Sequence, residues 1–187
     1  SLIQGGLPVS EVQRLCDVHA AVFKGSIEDI HSASDPAQIP GHPLNTLWRE
    51  NRALEELSGK LEALLDKPGP GLAEGLEGLA QIDSHYSKKE NLLFPYLEQY
   101  GITAPPKVMW GVDDEIRAEL KSIRQALGTQ APDSALISRI EELLHRVDEM
   151  IFKEENILFP MLTEHLTQDE WKTIAGGIAE LGFCLID

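Results

Sequence analysis

The chain has 187 residues, 42% of them hydrophobic, with 31 Asp and Glu against 16 Lys and Arg and a net charge of −15. Such an acidic chain is a poor partner for nucleic acid or an anionic membrane surface, because phosphate-rich surfaces recruit Lys and Arg; small cations suit it better. Cys16 and Cys184 show no pairing pattern, no apolar stretch approaches membrane-spanning length and no signal peptide is visible; together these point to free thiols in a reducing, cytoplasmic setting.

In chain order, Pro8 and Ser10 open a predicted helix through Val12, Leu15, Phe23 and Ile27 to about His31, followed by a loop rich in small residues and proline at 32–41. A first bundle helix starts at His42-Pro43, where proline suits the first turn. Its line Leu44, Leu47, Asn51, Leu54, Ser58, Leu61, Leu65 runs to the breaker Lys67-Pro-Gly-Pro-Gly71. A second is expected from about Leu72 to Tyr100, with Pro95 kinking or ending it. After a loop at 101–106, a third carries the line Met109, Asp113, Ile116, Leu120, Ile123, Leu127 and stops at Gly128. Asp133 or Ser134 caps a fourth, reaching to about His165, and Thr167-Gln-Asp-Glu170 is a capping box for one more short helix ending near Gly182. Four long amphipathic helices with short connections and no strands predict an all-α, antiparallel up-down four-helix bundle, with an N-terminal helical extension and a short C-terminal helix.

One phrase occurs twice. Lys89-Glu-Asn-Leu-Leu-Phe-Pro-Tyr-Leu-Glu98 returns as Glu154-Glu-Asn-Ile-Leu-Phe-Pro-Met-Leu-Thr163, offset by 65 positions (159 − 94, Phe to Phe). The same supersecondary unit is therefore used twice, on the second and fourth helices. At 100° per residue, the apolar residues of the fourth helix define a face that contains Glu154. The same construction on the second places Glu90 inside, Lys89 towards the boundary and His85 further out on the flank. Asn51 and Asp113 fall on the core lines of the first and third helices. Buried carboxylates require a cationic partner, and in bundles that partner is often a metal held by inward Glu and His side chains.

The sequences His85-Tyr-Ser-Lys-Lys-Glu-Asn-Leu-Leu-Phe-Pro-Tyr-Leu-Glu98 and Lys153-Glu-Glu-Asn-Ile-Leu-Phe-Pro-Met-Leu162 resemble the hemerythrin-like, or HHE cation-binding, domains, over roughly residues 42–165. Leu15-Cys-Asp-Val-His19, Gly41-His-Pro43, Glu50-Asn51 and Val108-Met-Trp-Gly-Val112 resemble a bacterial and archaeal branch in which that domain follows an uncharacterised helical domain and often precedes a PAS-type sensor domain. The resemblance implies that residues 1–41 are the tail of the preceding domain plus linker, 42–166 the bundle, and 167–187 a helix leading into an absent domain.

It also implies non-haem iron, commonly a di-iron pair, held by histidines and carboxylates from all four helices. Here that pattern is damaged. Asn51, Asp113 and Met150 stand where histidines are expected, and Lys89 stands where a carboxylate matching Glu154 would be. His85 and Glu154 survive, and Glu90 is the replacement for Lys89. The candidate ligands are His85, Glu90, Asp113 and Glu154. They would hold one Fe, Mn, Zn or other divalent cation, as a mononuclear or degraded di-iron site.

Each residue has a competing reading. His85 can rest at the bundle flank, Glu154 can pair with Lys89 without metal, Asp113 can cap the third helix, and Asn51 can fix helix register through buried hydrogen bonds. Cys16 and His19 share a helical face, which is weak metal evidence, and His31, His145 and His165 read as surface residues. No nucleophile-base arrangement, phosphate loop or dinucleotide fingerprint supports an enzyme. The leading reading is a metal-binding sensor or regulatory domain responsive to oxygen, iron or redox state. Its rival is a metal-free bundle that serves as a structural or dimerising module of a signalling protein, with a homodimer and a fused PAS-type domain as the corresponding partners.

Overall fold

The computed structural model describes residues 35–187. The expected helix at 10–31, and with it Cys16, His19 and His31, lies outside the described residues. Asp35 caps a short 3-10 turn, Pro36–Gln38, and helix α1 (Pro43–Leu64) follows. His42 caps α1, its Nδ1 accepting from Leu44 N–H at 3.1 Å. Proline at the first helical position has no N–H to leave unsatisfied, so the start predicted at His42-Pro43 is where the helix begins.

The second long element is not one helix. It comprises α2 (Pro70–Leu79), a break at Ala80 and Gln81, α3 (Ile82–Lys88), a π turn at Lys89–Leu93 and α4 (Phe94–Gln99). The fourth repeats the last part of that plan, with α6 (Ser134–Lys153), a π turn at Glu154–Leu158 and α7 (Phe159–His165). In both turns the Phe N–H reaches back five residues, Phe94 to the Lys89 carbonyl and Phe159 to the Glu154 carbonyl. The reason lies in the next residue. Pro95 and Pro160 donate no hydrogen bond and crowd the carbonyl four residues earlier, and a widened turn relieves that conflict without breaking the helix.

Between these stands α5 (Ala104–Thr129), which begins earlier than expected because Pro105 and Pro106 fit its first turn. Asp113 is therefore well inside the helix and does not cap it. Helix α8 (Gln168–Ile178) starts at the predicted capping box, Thr167 and Glu170 satisfying each other's backbone N–H. The four long elements form an antiparallel bundle, α1 beside α2, α2 beside α5, α5 beside α6 and α6 beside α1, with α8 laid across α1 and the first π turn. Leu47, Leu54, Leu79, Phe94, Ile116, Ile140, Val147 and Leu162 fill its core. Among the described residues there is no strand, and no helix is long and apolar enough to cross a membrane.

Candidate functional site

Among the described residues nine polar or charged ones are buried, and eight of them, Glu50, Asn51, His85, Lys88, Lys89, Glu90, Asp113 and Glu154, collect at the level of the π turns. Lys89 is central. Its Nζ lies 2.9 Å from Asp113 Oδ1 and 2.9 Å from Glu154 Oε2, and 4.3 Å from the centre of the Tyr86 ring. His85 bridges two carboxylates, Nδ1 to Glu50 Oε1 at 2.9 Å and Nε2 to Glu154 Oε1 at 2.7 Å. Lys88 donates to Glu50 Oε2 at 2.8 Å. Asn51 donates to Glu154 at 3.2 Å and to Glu155 at 3.0 Å, which fulfils its reading as a buried hydrogen-bonded residue.

The expected flank position of His85 and boundary position of Lys89 are overturned, since both are completely buried. A single helical wheel over residues 72–100 runs across the break at Ala80-Gln81 and the π turn. Each irregularity shifts helical phase, so one angle per residue cannot hold throughout. Glu90 is buried as expected, but it turns to Arg117, which grips it through two 2.7 Å contacts and also reaches Asp83 at 2.6 Å. Its carboxylate thus has a cation of its own at the edge of the cluster. Met150, in register with His85, joins the apolar core. His145 is exposed and pairs with Glu149, whereas His165 is half-buried beside Tyr100.

Glu50 and Lys88 were not among the candidates. Glu50 was legible, because it stands three residues after Leu47 and four before Leu54 on the α1 core line. Lys88 was not, because the groups it meets, Glu50 and Phe183, are distant from it in sequence.

The electrostatics follow from burial and pairing. Burial alone would strip His85 of its proton, yet Glu154 and Glu50 outweigh it and raise its pKa to about 9. Burial likewise disfavours an ionised Glu154, but His85 and Lys89 prevail and lower it to about 2. Lys89 is held above the ordinary lysine value, Asp113 and Glu154 overcoming its desolvation. Asp113 moves the other way from Glu154: burial pushes it well above the carboxylate range, with Lys89 opposing and Glu154 and Glu90 adding to the rise. One ammonium between two carboxylates fully compensates one of them. Glu154, which also has His85, is the better compensated of the two. Asp113 Oδ2 is buried without a hydrogen-bond partner.

This donor set does not fit a metal ion. Both ring nitrogens of His85 face carboxylates and carry protons, so neither offers a lone pair, and two ammonium groups occupy the space among the acids. Among the described residues, no three His, Cys, Asp or Glu side chains are gathered so as to hold one.

Fold and site together define an all-α bundle with a buried ionic centre built on a duplicated helix-π-helix unit. The model of the hemerythrin HHE cation binding domain matches residues 42–162, and the chain belongs to that cation-binding family. A family of unknown function, DUF438, matches residues 1–29, in agreement with the branch that the sequence resembles. No curated protein matches the chain.

Proposed function

We propose that this chain is a metal-independent member of its family, a helical bundle that serves as a structural or dimerising module of a cytoplasmic signalling protein, with Lys89 and His85 supplying internally the positive charge that a bound cation would bring. One observation carries the reading: the fully buried Lys89 ammonium lies 2.9 Å from carboxylates of two other helices, Asp113 on α5 and Glu154 at the start of the second π turn. A fused PAS-type domain would be its output partner.

The test is elemental analysis of protein purified without chelator and then reconstituted anaerobically with Fe(II). The expected result is no Fe, Mn or Zn above background. One or two tightly held ions per chain would overturn it. Family membership itself favours a second reading, in which His85, Glu90, Asp113 and Glu154 hold one divalent cation for iron, oxygen or redox sensing. That reading requires Lys89 to leave the centre and His85 to lose a proton, so metal uptake would release protons and rise steeply with pH.

A further inference from the structure

After the 3-10 turn Ala179–Leu181, the chain doubles back onto the bundle. Gly182 has φ 75° and Leu185 has φ 60°. The second is a left-handed conformation that a residue with a side chain keeps only when its surroundings impose it. Those surroundings are specific. Cys184 N–H donates to Glu50 Oε2 at 2.5 Å, Leu185 N–H donates to Gln81 Oε1 at 3.0 Å, and the Phe183 ring lies 5.8 Å from Lys88 Nζ. The Cys184 side chain is wholly buried, and its thiol is pushed up to about 12 by burial, with Glu50 adding to the rise.

Glu50 joins this segment to the ionic centre. Its Oε2 receives both the Cys184 N–H and the Lys88 ammonium, and its Oε1 meets His85, which continues to Glu154. Four groups therefore bear on that carboxylate: His85 and Lys88 from α3, and the thiol and N–H of Cys184 from the returning segment. The segment in turn sets the Phe183 ring 5.8 Å from the Lys88 ammonium.

We propose that Phe183–Asp187 is a strap whose docking depends on the negative charge of Glu50, so that the state of the buried centre and the position of the C-terminal segment are coupled. A hydrogen bond from a backbone N–H to a buried anion is stronger than one to a neutral acceptor. Neutralising Glu50 weakens the strap, and by reciprocity lifting the strap perturbs the centre. The coupling requires no bound cation and is independent of the proposal above.

The experiment uses the full chain carrying Cys16→Ser, which leaves Cys184 as the one thiol. Maleimide labelling of Cys184 reports how often the strap opens. Glu50→Gln is expected to speed labelling by about tenfold or more, the scale set by losing one hydrogen bond to a charged group. Unchanged labelling in a variant of normal helicity would overturn the proposal. Should Glu50→Gln lose its helicity, a chain ending at Leu181 decides: its His85 ring nitrogen resonances shift if strap and centre are coupled, and identical resonances refute the coupling.

Discussion

Lys89 and Glu154 are the same position of the repeat, 65 residues apart, and they form an ion pair with each other, Nζ to Oε2 at 2.9 Å. Each opens a π turn, so the two copies meet through equivalent residues of opposite charge. An intact repeat would set two carboxylates face to face and call for an outside cation. Exchanging one for lysine makes the pair self-sufficient.

Removing that lysine should be costly. Lys89→Met leaves Glu154 with only His85 as a cation and Asp113 with none, and breaking a buried pair on one side typically costs about 3–5 kcal/mol. Lys89→Met combined with Glu154→Gln should lose clearly less than the sum of the two single variants, because the ammonium and the carboxylate it pairs with are then removed together. Urea unfolding of the four proteins measures the difference, and strict additivity would show that the contact contributes nothing.

Stability should peak on the acid side of neutrality. The folded pKa of His85, about 9, exceeds its ordinary 6.5, so its contribution is complete below 6.5 and fades as pH rises through 9. Glu154 is lowered from 4.5 to about 2, so its contribution is complete above 4.5 and fades as pH falls through 2. Glu155 opposes folding as pH rises. Burial pushes it up to about 7 despite Arg52 and Asn51, and its ionisation penalty grows between 4.5 and 7. Denaturant midpoints should therefore be highest near about pH 5. In His85→Gln the decline between 6.5 and 9 should flatten.

Much of this could be read from the sequence and some could not. Three helix starts were legible because caps are local chemistry: His42-Pro43, Asp133 and the Thr167-Glu170 box each satisfy N–H groups within three residues. The apolar lines gave the bundle, and core spacing located Asn51, Asp113 and Glu154. The break at Ala80-Gln81 and the two π turns were not legible, since a 3.6-residue period assumes away the phase shifts they introduce. They decide which side of the second helix faces inward, and with it the burial of His85 and Lys89. The approach of the Phe183 ring to Lys88 joins residues 95 positions apart (183 − 88), and no local pattern announces it.

Metal affinity should be recoverable by substitution. Asp113→His alone is expected to bind no Fe(II) or Zn(II), because the Lys89 ammonium still faces residue 113 at 2.9 Å in the parent protein. Lys89→Glu with Asp113→His restores the carboxylate that matches Glu154 and adds an imidazole, and calorimetric titration should then show stoichiometric binding. Binding by the single Asp113→His variant would show that lysine is not the obstacle.

Two glycines should respond oppositely to alanine. A Cβ on Gly59, in the middle of α1, would meet nothing within 4 Å, so Gly59→Ala should stabilise by about 1 kcal/mol through helix propensity. On Gly75 in α2, a Cβ would lie 2.5 Å from Leu61 Cδ2 and 3.3 Å from its Cγ, and Leu61 is packed in the core. Gly75→Ala should destabilise by about 1–3 kcal/mol, overpacking exceeding the propensity gain. Thermal melts of the two variants check the contrast.

The complete enclosure of Lys89, His85 and Glu154 separates them from dissolved ions as well as from water. The Debye length is about 10 Å at 0.1 M ionic strength, and screening operates only where electrolyte can enter. An exposed pair such as Lys60 with Glu56, and the mutual repulsion of a surface carrying most of the −15 charge, belong to that regime. The centre does not. Added sodium chloride should relieve the repulsion of the outer shell while leaving the inner attraction at full strength, so a protein this acidic should become harder to unfold in brine.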